Sequence, residues 1–251
     1  MTPEIKTQKR EISEKDWQGE SHNEAIGRGS SYHLRRDNSA RNRSSHYGVP
    51  LISREYILWE VDTQADFMIP GGKLYVPGAE KLLPNIHRLT DAARRDRVFL
   101  VSHGCFHAPG DPEFKTFPPH CVKGTLGADF VPEALTSRIA RVPNESSAVI
   151  PDDLFAYQQI LLEKQTLNIF ESRHAEALLK RLGNPEFFVF GVVTEYCVSL
   201  AATGLLRRGQ RVSIVEDAIE TMDATAGLKA LAALVQLGAK VTTTDAAIAL
   251  F

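Results

Sequence analysis

The sequence has few cysteines, no long apolar run and no excess of either charge. Three cysteines in 251 residues are too few for a disulfide framework, which favours a reducing compartment. Lysine and arginine number 29 against 31 aspartates and glutamates, so no basic excess favours nucleic-acid binding. No apolar stretch approaches the roughly 18 residues that a membrane span requires. We therefore expect neither a nucleic-acid partner nor a membrane partner.

The first residues also lack the apolar segment of a secretory signal, and we expect a cytoplasmic location. What is present is ordinary for a globular protein, with 43% hydrophobic and 24% charged residues over a length that can bury one large core. The first 50 positions differ, because they carry nine lysines and arginines, seven acids and few large apolar side chains. We predict a polar extension at 1–53, flexible or wrapping, followed by one domain at 54–251.

Short apolar runs alternate with helical periodicity from residue 56 onward. Strands are predicted at 56–62, 97–102, 159–163, 187–190, 211–215 and 240–243. Helices are predicted at 82–93, 174–182 and 226–237 and after Cys197, with a short helix near 133–138. This alternation is typical of a parallel sheet covered on both faces. The prediction is a three-layer α/β/α fold with a mainly parallel, roughly six-stranded, Rossmann-like sheet.

Cys197 follows a buried strand and a turn, at the start of a predicted helix. Unpaired N–H groups and the helix macrodipole at such a position favour the thiolate, which is the nucleophilic form of cysteine. The alternative is an inert buried cysteine that packs as a small apolar side chain. The surrounding sequence has to decide between the two.

Asp62 and Lys164 also stand at the ends of predicted strands. Alone, an aspartate there is ordinarily a turn or helix cap, and a lysine is ordinarily an exposed end-of-strand residue. Right-handed crossovers place the carboxyl ends of all parallel strands at one edge of the sheet, where ligands bind. A carboxylate base, an ammonium and a thiol that meet there could together hydrolyse an amide.

Four segments in a fixed order resemble the nicotinamidase/isochorismatase-like cysteine hydrolase superfamily, and the nicotinamidases most of all. The segments are VDTQADF at 61–67 with PGG at 70–72, PPHCVKGT at 118–125 with GADF at 127–130, Lys164, and GVVTEYCV at 191–198. The resemblance spans about residues 55–248. It implies that Asp62, Lys164 and Cys197 form the catalytic triad.

The resemblance also implies the surroundings of the triad. The bond between Val192 and Val193 would be a cis peptide, so that the N–H groups of Val193 and Cys197 form an oxyanion hole. Phe67, Phe117 and Gln64 would line the pocket of a small amide substrate. The family further implies a homo-oligomer without an organic cofactor.

The sequence departs from the nicotinamidase pattern at the metal site of those enzymes. Those enzymes hold a metal on an Asp-x-His pair and on the histidine of PPHC, whereas the pair here reads Cys105-Phe106-His107. One interpretation is that Cys105, His107 and His120 hold zinc, since cysteine and histidine are ordinary zinc ligands. The other is that the metal has been lost and that the substrate is a different amide.

The leading functional hypothesis is hydrolysis of nicotinamide to nicotinate and ammonia through a thioester on Cys197. A second hypothesis keeps the triad and changes the substrate to a carbamoyl, ureido or maleamate-type amide. A third is a non-catalytic binding relative that uses the N-terminal extension to engage a partner.

Overall fold

The computed structural model of the protein describes residues 53–251. The predicted extension at 1–53 lies outside the described residues, apart from residue 53, and stays a prediction. Within residues 53–251, no helix combines the length and the apolar character needed to cross a membrane.

One parallel sheet forms the centre of this part of the chain, with the strand order β3-β4-β2-β1-β5-β6-β7. The strands are β1 (Ser53–Val61), β2 (Val98–Cys105), β3 (Ile139–Val142), β4 (Gln159–Lys164), β5 (Glu186–Gly191), β6 (Arg211–Ile219) and β7 (Lys240–Thr242). The helices are α1 (Ala65–Met68), α2 (Leu83–Arg94), α3 (Ala175–Leu182), α4 (Ser199–Arg207), α5 (Ala224–Gln236) and α6 (Thr244–Ile248). The predicted fold class is confirmed, and the sheet has seven strands rather than six.

The strand that the sequence did not reveal is β3. A short helix was predicted near 133–138, but the chain forms only a 3₁₀ turn at Pro132–Ala134 before the strand begins. With four residues and a single neighbouring strand, β3 is too short and too exposed to produce a clear apolar run.

Two apolar clusters cover the two faces of the sheet. Alternate residues of β5 illustrate this, because Phe187 packs in one cluster and Phe188 in the other. The first cluster includes side chains of α3, α4 and α5, and the second includes side chains of α2 and α6. Strands buried on both faces read as continuous apolar runs, which explains why the central strands were predicted at nearly the observed positions.

The carboxyl ends of the central strands bring distant segments together. In the sheet register, Val61 lies opposite both His103 and Gly191, and Cys105 lies opposite Lys164. Gly191 has φ 113°, and a Cβ at this position would lie 2.0 Å from the carbonyl oxygen of Val61. Only glycine permits this close approach, which sets the turn after β5 directly against the end of β1.

Glu60 is an acidic residue of β1 that is fully buried in the sheet, one position before the strand ends. Its Oε2 accepts a hydrogen bond from Ser102 Oγ, and Ser102 Oγ accepts one from Gln159 Nε2. Burial raises the pKa of Glu60 from 4.5 to about 8, although the hydrogen bond from Ser102 acts in the opposite direction. The side chain is therefore a neutral carboxylic acid at neutral pH.

Glu60 should make the stability of the protein depend on pH. Because the folded-state pKa exceeds the unfolded value, the folded protein loses stability as the pH rises from about 4.5 through about 8. A Glu60→Gln variant cannot ionise and should lose this part of the dependence. Urea unfolding at pH 5, 6.5 and 8 measures the effect, with Glu55→Gln at an exposed position of the same strand as the control. Equal pH slopes in wild type and Glu60→Gln would contradict the prediction.

Candidate active site

The three residues predicted to form a triad meet at the carboxyl edge of the sheet. Lys164 Nζ donates to Asp62 Oδ2 at 2.9 Å and to Cys197 Sγ at 3.6 Å. Asp62 directly follows β1, Lys164 ends β4, and Cys197 lies in a π-helical turn, Thr194–Val198, between β5 and α4. All three side chains are buried. An ion pair and a thiol therefore share one site that is shielded from solvent.

The charge of Lys164 is maintained by its neighbours. Burial alone would lower its pKa, but Asp62, Cys105 and Cys197 act in the opposite direction and hold the pKa well above its usual value. Lys164 is thus an ammonium ion. It is a fixed positive charge at the base of the site.

Cys197 is a thiol in this arrangement, contrary to the sequence-based expectation of a thiolate. Burial and then the negative charge of Asp62 raise its pKa well above the usual value, and Lys164 offsets only part of this shift. The expectation was wrong because it rested on a helix N-terminus and ignored desolvation. A thiol beside a carboxylate needs a proton transfer to become a nucleophile, and Asp62 is placed to accept the proton.

The peptide bond between Val192 and Val193 is cis, as the resemblance implies. Within residues 53–251, the Val193 N–H donates no hydrogen bond to a backbone or side-chain acceptor. Val193 and Cys197 both line the cavity beside the triad. The Val193 N–H is therefore available to a ligand.

A cavity opens above the triad, with about 390 Å³ of empty space including its part open to solvent. Its lining contains both aromatic residues that were predicted for the substrate pocket, Phe67 and Phe117. The sequence did not single out several other lining residues, which are Leu74, Glu113, Leu167, Tyr196 and Met222. Tyr196 lies in the turn that contains Cys197, whereas the other four come from separate segments of the chain that no local motif groups.

Gln64, also predicted for the pocket, is fully buried and is not among the residues that line the cavity. Its Nε2 donates to the carbonyl oxygens of Cys105 and Ala128, and its Oε1 accepts from the N–H of Cys105. With its amide engaged by the backbone, Gln64 fixes the end of β2.

The predicted metal ligands also come together. The ligand atoms of Cys105, His107 and His120 all lie within 4.8 Å of one another, and all three residues are buried. His120 Nδ1 lies 2.9 Å from the carbonyl oxygen of Pro118, and His107 Nδ1 lies 3.1 Å from Asp111 Oδ2. In each ring Nδ1 is thus the nitrogen that lies near an oxygen, and each Nε2 is left to bind a metal ion. The residues present therefore fit a zinc ion.

Glu113 is a further acid at this cluster that the sequence analysis missed. Its Oε1 lies 4.0 Å from His107 Nε2 and 3.9 Å from His120 Nε2, and it is buried without a hydrogen-bond partner among the described residues. Burial raises the pKa of Glu113. Nothing in the loop sequence distinguishes Glu113 from neighbouring acids, so only the fold identifies it.

Cys105 belongs to the cluster with His107 and His120, here called the metal-type cluster, and also contacts the predicted triad. Lys164 Nζ donates to its Sγ at 2.9 Å, and the same sulfur lies 4.0 Å from Asp62 Oδ1. Burial is the largest of the effects that raise the pKa of the Cys105 thiol to about 12. The residue that departs from the nicotinamidase pattern thus connects the metal-type cluster to the triad.

Comparisons with known proteins relate the chain to one family. An isochorismatase domain model matches residues 139–246. The nicotinamidase/pyrazinamidase of Mycobacterium tuberculosis is 33% identical over 180 residues, which cover 68% of this chain and 86% of that protein. The nicotinamidase of Saccharomyces cerevisiae is 24% identical over 185 residues, which cover 62% of this chain and 84% of that protein.

Solved structures share the fold. The zinc complex of the pyrazinamidase of Pyrococcus horikoshii superposes with a TM-score of 0.62 at 26% identity, over 75% of this chain and 99% of that chain. An isochorismatase-like hydrolase of Alkaliphilus metalliredigens gives a TM-score of 0.64 at 25% identity, over 78% and 98% of the two chains. The chain therefore belongs to the nicotinamidase/isochorismatase-like family and is a hydrolase that acts on amides.

Proposed function

We propose that the protein hydrolyses nicotinamide to nicotinate and ammonia through a thioester on Cys197. The observation that carries this proposal is the contact of one buried ammonium, Lys164, with both a carboxylate and a thiol at the base of a cavity lined by aromatic side chains. Its relatives from Mycobacterium tuberculosis and Saccharomyces cerevisiae, which bear the name nicotinamidase, support the choice of substrate.

The first half of the reaction transfers the acyl group to sulfur. Asp62 accepts the proton of the Cys197 thiol, and Sγ attacks the amide carbon. The N–H groups of Val193 and Cys197 stabilise the oxyanion that forms. Asp62 then returns the proton to the amide nitrogen, the C–N bond breaks, ammonia leaves and the thioester remains.

The second half returns the enzyme to its starting state. Asp62 accepts a proton from a water molecule, whose oxygen attacks the thioester carbon. The C–S bond breaks, the sulfur recovers its proton and the carboxylic acid is released. Lys164 keeps Asp62 oriented through both steps and offsets the negative charge that develops on sulfur.

The cavity suits a flat ring. Phe67 contacts His120 edge to face with their ring centroids 5.3 Å apart, and Phe117 contacts Tyr196 in the same way at 6.2 Å. Aromatic walls of this kind pack against a planar substrate and add modest energy beyond simple burial. A pyridine ring fits this environment.

We propose zinc for the metal-type cluster, held by Cys105, His107 and His120 with Glu113 as an additional oxygen donor. A thiolate ligand favours zinc over iron or manganese. When bound, the ion would act as a Lewis acid toward a ring nitrogen of the substrate. Cys105 would bind as the thiolate, stabilised by the ion and by Lys164.

A second candidate follows from the cysteine at position 105. If this substitution has abolished metal binding, the same triad would act on another linear amide, such as a carbamoyl, ureido or maleamate-type compound. The expectations of a cytoplasmic location and of a homo-oligomer stay predictions, as does the absence of nucleic-acid and membrane partners.

The nucleophile is tested by removing its sulfur. We expect Cys197→Ala to lower the rate of ammonia release from nicotinamide by at least about a thousandfold, because the covalent step is lost. Cys121→Ala is the matched control, since Cys121 is buried but is not among the residues that line the cavity. Equal rates in wild type and Cys197→Ala would exclude the thioester mechanism.

The metal is tested by elemental analysis of the purified protein. We expect about one zinc ion per chain, reduced in Cys105→Ala and His107→Ala variants. Cys105→Asp should bind iron or manganese better than wild type does, because a hard oxygen replaces a soft sulfur. Cobalt-loaded wild type should show a thiolate-to-cobalt absorption band that Cys105→Asp lacks. A metal-free protein that is active on carbamoyl or ureido amides would select the second candidate.

A further inference from the structure

We propose that Glu195 is a positioning residue that holds Met222 against the cavity, and that Met222 sets the size of the amide that the site accepts. The proposal rests on the amide-hydrolase site described above. Neither residue is part of the triad or of the metal-type cluster.

The carboxylate of Glu195 binds the loop that precedes α5. Its Oε2 accepts a hydrogen bond from Thr221 Oγ1 at 2.6 Å. Its Oε1 accepts from the backbone N–H groups of Met222 and Asp223, both at 3.0 Å. Three consecutive residues are therefore held by one side chain.

These bonds are not needed to cap the helix. α5 has its own N-cap, because Asp223 Oδ1 accepts from the N–H of Ala226 at 2.7 Å. Glu195 instead fixes the backbone of Met222, a residue that is 40% exposed and lines the cavity together with Tyr196 and Cys197. Since a methionine side chain is flexible, it can define a wall only if its backbone is held in place.

The same loop is joined to the nucleophile segment at a second point. The backbone N–H of Thr194 and its Oγ1 both donate to the carbonyl oxygen of Glu220, at 2.8 and 2.7 Å. Thr194 and Glu195 belong to the turn that contains Cys197. The wall formed by Met222 is thus built as one unit with the proposed nucleophile, which keeps the distance between the wall and the sulfur constant.

Two substitutions of Glu195 separate hydrogen bonding from charge. In Glu195→Gln, the amide oxygen can still accept from both backbone N–H groups. Thr221 Oγ1 already lies within hydrogen-bond distance of the carbonyl oxygen of Asp223, so it can donate there and accept from the new amide N–H. Glu195→Gln should therefore keep the loop in place, whereas Glu195→Ala should release it.

Steady-state kinetics give the first test. We expect Glu195→Ala and Met222→Ala each to raise KM for nicotinamide about tenfold and to change kcat by less than about twofold, because substrate fit is lost while the triad is intact. The double variant should show no larger effect than the single variants, since Glu195 acts through Met222. Glu195→Gln should behave like wild type.

Alkylation of Cys197 gives a second test that needs no hydrolysis. Mass spectrometry measures the rates at which iodoacetamide and the bulkier N-phenyl iodoacetamide modify this residue. Glu195→Ala and Met222→Ala should raise the ratio of bulky to small reagent at least about threefold, as the pocket loses its size limit. Leu228→Ala, at an exposed position of α5 away from the cavity, is the control and should leave the ratio unchanged.

An unchanged alkylation ratio in Glu195→Ala, or additive effects in the double variant, would overturn the proposal. So would a Glu195→Gln variant that behaves like Glu195→Ala, because the charge and not the hydrogen bonds would then be responsible. If wild type fails to hydrolyse nicotinamide, the proposed function fails, and the alkylation ratio still decides the role of Glu195.

Discussion

The site depends on the contacts that the buried ammonium of Lys164 makes with its neighbours. A charge removed from water costs several kcal/mol unless it is paired and hydrogen-bonded. Lys164 has three N–H donors, and they contact Asp62, Cys105 and Cys197. The fold must therefore place one carboxylate and two sulfur atoms around the Lys164 nitrogen. This requirement constrains the ends of β1, β2 and β4 and the turn that contains Cys197.

The parallel sheet meets this constraint through its register. β1 lies between β2 and β5, so that Asp62 is central, with Cys105 and Lys164 on one side and the Cys197 turn on the other. Burial in the same place strengthens the ion pair, since the local dielectric constant is low. It also raises the pKa of Cys197 and so keeps the thiol protonated at rest. In the mechanism proposed above, the sulfur becomes nucleophilic when Asp62 accepts its proton.

Cys105 is the residue at which this chain departs from the nicotinamidase pattern. An aspartate at this position would add a second negative charge close to Asp62, whereas a thiol is neutral until a metal ion binds. Cys105 Sγ contacts Lys164 and also belongs to the cluster with His107 and His120. A change of charge on this sulfur would therefore act on the triad and on the metal-type cluster together.

The sequence by itself determined the fold class, and four segments in a fixed order indicated the family and predicted the triad residues. The fold class followed because strands buried on both faces produce unbroken apolar runs. Asp62, Lys164 and Cys197 could be expected to meet because each stands where such a run or its turn ends. Tertiary structure alone decided which other side chains surround them. Glu113 and Met222 reach the cavity from loops, and no local pattern records which loops become neighbours. It also decided that Cys197 rests as a thiol, because desolvation depends on everything packed around the sulfur.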